Sequence, residues 1–245
     1  MRLSPFRKAE PPRRPDWLAA RAFAHRGLHG PERPENSRAA FAAAIAADFG
    51  IELDVQASLG GTAFVFHDDE LDRLAEGRGA LARHRPEELA AIKLRGSDET
   101  LPTLPDILAQ VAGRTPVLIE IKGRQATRAL CGSVRAALDA YRGPAAIMSF
   151  HPGAVRWFAR RAPHVIRGLV ISEEGKKRRF TRSVALFCAR PDFLAYDIRS
   201  LPSAFAARQR ARGLTLLSWT VRTPREAETA ALHADQIIHE TAAAR

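Results

Sequence analysis

Cysteine is nearly absent from this chain: its 245 residues include two, Cys131 and Cys188. Two cannot build a disulfide framework, and they fit a reducing compartment. Long apolar runs are missing as well. No stretch of 18 apolar residues occurs, which excludes a membrane-spanning helix, and residues 1–17 hold no apolar segment of the kind a secretory signal requires. The expectation is a soluble, cytoplasmic protein. Glycine and proline, at 16 each, are too few for a fibrous or disordered chain. Aromatics make up 7% of the sequence and do not interleave with basic residues as base-stacking surfaces do. Nucleic acid is therefore not an expected partner.

What is present is ordinary globular material, 46% hydrophobic and 27% charged, enough for one large core. The net charge of +11 is unevenly spread: residues 1–120 carry 16 basic and 18 acidic side chains, whereas 121–182 carry 14 basic and 3 acidic. That region ends in Lys176-Lys177-Arg178-Arg179. Such a tract favours anionic partners, namely phosphate compounds, acidic lipid surfaces or nucleic acid, and weak contact with an anionic membrane surface is one expectation from it. A solvated surface in an arginine-rich protein is the plainer reading, since a charge run alone identifies no partner.

Short apolar runs alternate with longer amphipathic stretches. Strands are predicted at Ala22–Ala24, Ile51–Val55, Ala63–His67, Val117–Ile121, Ala145–Ser149, Arg167–Ile171, Phe193–Tyr196, Leu214–Thr220 and Gln236–His239. The first long helix is expected over Ser37–Phe49, with Phe41, Ile45 and Phe49 on one stripe, Asn36 as N-cap and Gly50 just past its end. Gly113, Gly143 and Gly213 are expected to close later helices in the same way. Only Gln56–Thr62 separates the second strand from the third, too little for a parallel crossover. These two must form a hairpin that turns at Gly60-Gly61. Eight parallel strands remain, the number a closed (β/α)₈ TIM barrel requires. An open doubly wound sheet is the alternative, but no G-x-G-x-x-G fingerprint supports it. Residues 69–104 read as a small insertion after the hairpin carrying His67. Residues 1–16 read as a loosely ordered arm, and 17–245 as a single barrel domain.

The strands carry charge where a core belongs. In Ile51-Glu52-Leu53-Asp54-Val55 two carboxylates share one face, and Ile119-Glu120-Ile121-Lys122 places a carboxylate and an ammonium the same way. Neither face of a barrel strand is freely solvated, and burying an unpaired carboxylate costs several kcal/mol or more. Glu52, Asp54 and Glu120 suit an all-oxygen cage for Mg²⁺ or Ca²⁺. Ion pairing with Arg26 and Lys122 is the competing explanation. His25 follows the first strand and His67 ends the hairpin, and two imidazoles at strand ends can serve as general base and general acid. Arg26 and Lys122 add positive charge suited to phosphate. Together these residues point to hydrolysis of a phosphoryl ester. The other histidines, at 29, 84, 151, 164, 233 and 239, are expected to be structural or superficial.

His25-Arg26-Gly27, Pro34-Glu35-Asn36-Ser37, Glu52-Leu53-Asp54-Val55, His67-Asp68, Glu120-Ile121-Lys122 and Ser218-Trp219-Thr220-Val221 follow one another in an order that resembles the glycerophosphodiester phosphodiesterase family. The resemblance runs from about Phe23 to Glu240. It implies a (β/α)₈ barrel with a small insertion and a divalent cation at Glu52, Asp54 and Glu120. It also implies an acid–base pair at His25 and His67, phosphate contacts from Arg26 and Lys122, and Trp219 against the substrate alcohol. Glu35-Asn36 matches the motif that supports the first loop. The implied reaction is hydrolysis of a glycerophosphodiester to glycerol phosphate and an alcohol, in which the substrate's 2-hydroxyl attacks phosphorus and water opens the cyclic product. A lysophospholipid or sphingolipid head-group phosphodiesterase on the same constellation is the nearest alternative. Non-catalytic binding of anionic membrane or nucleic acid through 121–182 is an alternative of another class. The chain departs from the family pattern at Ala57-Ser58-Leu59-Gly60-Gly61, at Arg222 where asparagine is usual, and at His239-Glu240 in place of Thr-Asp. Arg222, near the mouth, is expected to bias the head group toward a more anionic one.

Overall fold

The computed structural model describes residues 12–122, 128–174 and 179–240. Eight strands run parallel: β1 (Phe23–Ala24), β2 (Gly50–Ala57), β4 (Val117–Ile121), β5 (Ala145–Ser149), β6 (Ile166–Ile171), β7 (Phe193–Asp197), β8 (Thr215–Val221) and β9 (Gln236–His239). β9 pairs with β1, matching Phe23 to Ile238 and Ala24 to His239, and β1 pairs with β2. The sheet is thereby closed into a barrel. β3 (Ala63–Val65) lies antiparallel on β2 with Val55 opposite Val65. The turn between them holds Gly60 and Gly61 at φ 92° and 97°, and a Cβ on Gly61 would lie 2.4 Å from the Ala129 methyl.

Alternation along each strand assigns its two faces. Ile51, Leu53 and Val55 point outward, packing with Phe41 and Ala44 of α2 (Arg38–Ala46), with Ile107 of the Leu104–Val111 helix and with Val134 of the Arg128–Ala140 helix. The barrel's lower interior is apolar: Phe23, Leu118, Met148, Ala195, Leu217 and Ile238 meet there, with Leu18 of the short Trp17–Ala20 helix buried among them. Two residues further along the same strands, on the same interior face, come His25, Glu120, Phe150, Asp197, Trp219 and Glu240. One strand period thus takes the interior from a hydrophobic plug to a charged upper layer.

The first helix departs from expectation. Ser37, not Asn36, caps it, accepting from the Ala40 N–H at 3.1 Å. The left-handed residue after it is Asp48 (φ 59°), whereas Gly50 opens β2. Gly50 is required for space: a Cβ there would sit 2.5 Å from the Phe23 ring. Gly113 and Gly213 are left-handed at helix ends, but Gly143 is not. It instead lets the backbone pass Gly113, whose Cα would be 2.6 Å from an added Cβ. Between β3 and the Leu104–Val111 helix the chain forms a small unit with its own apolar cluster, Phe64, Phe66, Leu71, Leu81, Leu89, Leu94 and Leu101 among its members. Arg13, in the segment expected to be loose, is held instead: it pairs with Asp192 at 2.7 Å and donates to the carbonyls of His164 and Val165. The basic tract at Lys176–Arg179 lies outside the described residues except for the backbone of Arg179. Among the described residues no helix is long and apolar enough to cross a membrane.

Candidate active site

The upper end of the barrel holds a cavity of about 370 Å³ lined by His25, Arg26, His67, Glu120, Lys122, Phe150, Asp197, Arg199, Trp219 and Arg222, among others. Seven of the residues singled out from sequence meet in it, Arg222 among them. Glu52 and Asp54 lie beneath, almost wholly buried.

The loop after β1 is built for close approach. Arg26 and Gly27 take left-handed backbone conformations, φ 56° and 79°. The Arg26 N–H donates to Glu52 Oε2 at 3.0 Å, and its guanidinium reaches Glu35 at 2.6 Å and Asp54 at 3.2 Å. Asn36, also left-handed, is buried and bonded to Asp54 at two points. The carboxylate that the sequence marked as anomalous is therefore held by a residue that reads, in sequence, as a cap.

Glu52, Asp54 and Glu120 each present an oxygen within 4.8 Å of the others. Lys122 Nζ lies 2.8 Å from Glu120 Oε1 and 3.2 Å from Asp54 Oδ1. Among the described residues two side-chain cations, one of them shared with Glu35, face three carboxylates, and Glu52 Oε1 is buried with no hydrogen-bond partner. Burial, then repulsion from Asp54 and Glu120, pushes the Glu52 carboxyl well above its usual range. Burial likewise raises Glu120 to about 7. Asp54 goes the other way: burial opposes its charge, but Lys122 and Arg26 hold it down at about 2. An orphaned buried oxygen in an all-oxygen, over-acidic set fits a hard divalent cation. The geometry thus shows the ion pairing and, beside it, an acidic set able to hold a cation.

Each cavity-lining histidine has a carboxylate on the same ring nitrogen. His25 Nδ1 lies 3.0 Å from Glu240 Oε2, and His67 Nδ1 lies 2.6 Å from Asp68 Oδ1. Each carboxylate in turn meets an arginine: Arg222 Nη2 on Glu240 at 2.8 Å, Arg73 Nε on Asp68 at 2.6 Å. Burial pushes both imidazoles below their ordinary value, opposed by Glu240 at His25 and by Asp54 at His67. With Nδ1 committed to a carboxylate, each ring exchanges protons at Nε2: a neutral ring accepts there and an imidazolium donates. Phe150 meets Trp219 edge-on, ring centroids 5.4 Å apart, and gives the cavity an apolar wall.

Sequence reasoning missed Glu240, Arg73 and His29. Glu240 stood out only as a departure from a motif. His29, set aside as structural, presents a ring nitrogen within 4.8 Å of ligand atoms of His25 and Glu240. The other histidines include His239, whose ring lies tilted against Phe49 with centroids 4.5 Å apart, and His164, paired with Asp139 at 3.2 Å.

A parallel eight-stranded barrel with carboxylates, histidines and cations gathered at the C-terminal ends of its strands has the usual layout of a barrel enzyme. Residues 25–239 match the model of the glycerophosphoryl diester phosphodiesterase family, and the chain belongs to that family. It is 32% identical over 156 residues to a glycerophosphodiester phosphodiesterase of Bacillus altitudinis, an alignment covering 58% of this chain and 63% of the relative. A glycerophosphodiester phosphodiesterase of Caldanaerobacter subterraneus is 32% identical over 161 residues, covering 60% of this chain and 65% of that one. This chain thus aligns with less than two thirds of either relative's length. In fold it is similar to an Oleispira antarctica phosphodiesterase solved with its product sn-glycerol-3-phosphate, with a TM-score of 0.80 and 21% identity over 89% of this chain and 92% of that one. It is similar also to a Thermotoga maritima glycerophosphodiester phosphodiesterase, with a TM-score of 0.74 and 23% identity over 89% and 93%.

Proposed function

We propose that this protein hydrolyses glycerophosphodiesters to glycerol phosphate and an alcohol. The observation that carries this reading is the pair of cavity-facing histidines, each with its Nδ1 on a carboxylate, above a floor of Glu120 and Lys122. Arg26 and Lys122 would bind the phosphoryl oxygens, and Trp219 with Phe150 would pack against the departing alcohol. Glu52, Asp54 and Glu120 would hold Mg²⁺ or Ca²⁺, which supplies Lewis-acid polarisation of the phosphoryl group. His25 takes the proton of the substrate's 2-hydroxyl as that oxygen bonds to phosphorus. His67, entering as the imidazolium that the Asp68 carboxylate supports through Nδ1, gives its Nε2 proton to the alkoxy oxygen as the P–O bond breaks and is left neutral. Water then opens the cyclic phosphate with the two proton transfers reversed: His67 accepts the proton of water, and His25 returns one to the 2-oxygen.

The predominantly polar lining favours a soluble diester over a lysolipid. The test is turnover of glycerophosphocholine, glycerophosphoethanolamine, glycerophosphoinositol and lysophosphatidylcholine, each with Mg²⁺, Ca²⁺ or chelator. Release of glycerol phosphate that His25→Ala and His67→Ala abolish is the expected result. Absence of turnover on every diester under every metal condition overturns the reading.

A further inference from the structure

Glu240 Oε2 is met by two groups, the His25 ring at 3.0 Å and the Arg222 guanidinium at 2.8 Å. We infer that Arg222 and Glu240 form a positioning couple for His25, so that Arg222 governs turnover through Glu240 instead of reading the substrate's head group. The inference deepens the phosphodiesterase reading and rests on it for its kinetic part.

The couple is anchored at both ends. The Glu240 N–H donates to the Val221 carbonyl at 3.0 Å, tying the end of β9 to the end of β8. The Arg222 N–H donates to Glu226 Oε2 at 2.7 Å, and Glu226 also closes the capping box of the Pro224–His233 helix through Thr223. A glutamate has three side-chain torsions, so a single bond to the imidazole leaves its carboxylate free to rotate. A second, charged donor on the same oxygen removes that freedom. The fixed carboxylate accepts from Nδ1–H, selecting the tautomer whose Nε2 lone pair can take a proton. That selection is what a base at this position requires.

The guanidinium is half-exposed and lines the cavity, the position from which it would read an anionic head group. Its charge, however, is already matched by Glu240. The same plan recurs at His67, where Asp68 takes Nδ1 and Arg73 holds both carboxylate oxygens at 2.6 and 3.0 Å. Two histidines from different parts of the barrel have converged on one support.

The test uses the full chain and the variants Glu240→Gln, Glu240→Asp, Arg222→Gln and the double variant Glu240→Gln/Arg222→Gln. Proton–nitrogen correlation spectra of the His25 side chain, assigned by its loss in His25→Ala, report the tautomer without any turnover. The expected result is an Nδ1–H tautomer in the wild type, a mixture in Glu240→Gln and partial restoration in Glu240→Asp. In kinetics, Glu240→Gln and Arg222→Gln should each lower kcat about ten- to a hundredfold, with KM changed less than about threefold on zwitterionic and anionic head groups alike. The double variant should fall no further than Glu240→Gln, as expected of residues acting in series. An unaltered His25 spectrum in Glu240→Gln overturns the inference, as does an Arg222→Gln effect confined to KM for one head group. Should the wild type hydrolyse no diester, the function proposed above fails, and the spectra alone decide whether the couple sets the tautomer.

Discussion

Asn36 grips Asp54 at both ends: its Nδ2 donates to Asp54 Oδ2 at 3.0 Å, and its Oδ1 accepts the Asp54 N–H at 3.2 Å. Both residues are essentially inaccessible to water. Replacing Asn36 with alanine leaves a buried N–H and a carboxylate oxygen each one partner short. The expected loss is about 1–3 kcal/mol of stability, read by urea unfolding, together with reduced turnover because Asp54 is no longer oriented. Wild-type stability in Asn36→Ala would mean that Arg26 and Lys122 suffice to hold Asp54.

Cation binding should release protons. Glu52 is raised well above the ordinary carboxyl range and Glu120 to about 7, both chiefly by burial, so near pH 7 the set retains protons that a divalent ion must displace. Affinity for Mg²⁺ or Ca²⁺ should therefore rise with pH through this range. Calorimetry in two buffers of different ionisation enthalpy measures the protons released. Bound cation should also raise Tm, and Glu52→Gln should abolish both the Tm gain and turnover. Proton-neutral binding, or full activity after exhaustive chelation, would contradict the assignment.

The two histidines should separate by leaving group. An acid matters most when a poor leaving group needs a proton, while a base matters whatever departs. His67→Ala should lose roughly 10²–10⁴-fold on an alkyl diester and far less on a nitrophenyl diester. His25→Ala should be impaired similarly on both. The reverse pattern would exchange the roles.

Glu240 gives a dependence on acid. Its carboxyl lies at about 2, down from 4.5, held first by the hydrogen bond from His25 and then, against burial, by Arg222. A depressed carboxyl contributes stability that is complete above the unfolded value and is lost as pH falls through the folded one. The stability difference between wild type and Glu240→Gln should therefore be constant above about pH 5 and shrink between there and pH 2. Thermal melts across that window measure it, and a difference that does not change with pH would show that the carboxylate is unpaired in solution.

Much of the barrel was legible because its strands are short apolar runs between turn residues, and the carboxylates of β2 stood out because charge is costly there. Local chemistry misled where two neighbours could serve one purpose. Asn36 and Ser37 are both good caps, and only the depth of Asp54 below the loop decides which side chain turns inward. Gly50 looked like a helix terminator, but Asp48 adopts the left-handed turn and the Phe23 ring claims the space at Gly50. Glu240 was not legible as a partner of His25, since 215 positions separate them and barrel closure alone brings them together. Arg73 was hidden likewise, because the insertion's own core determines where it points. The departures at Arg222 and Glu240, unrelated in sequence, are a single contact in space.

The seam between β1 and β9 has a consequence for synthesis. The His25 N–H donates to the His239 carbonyl at 2.8 Å, and the carboxylate on its ring belongs to the next residue, so both supports of this histidine come from the end of β9 and are synthesised long after it. On a ribosome, a chain lacking residues 236–240 has an open sheet and an unoriented imidazole, whatever the state of its cation site. The support of this imidazole thus arrives in the same event as topological closure, and on the function proposed above a copy halted before β9 would lack its oriented base.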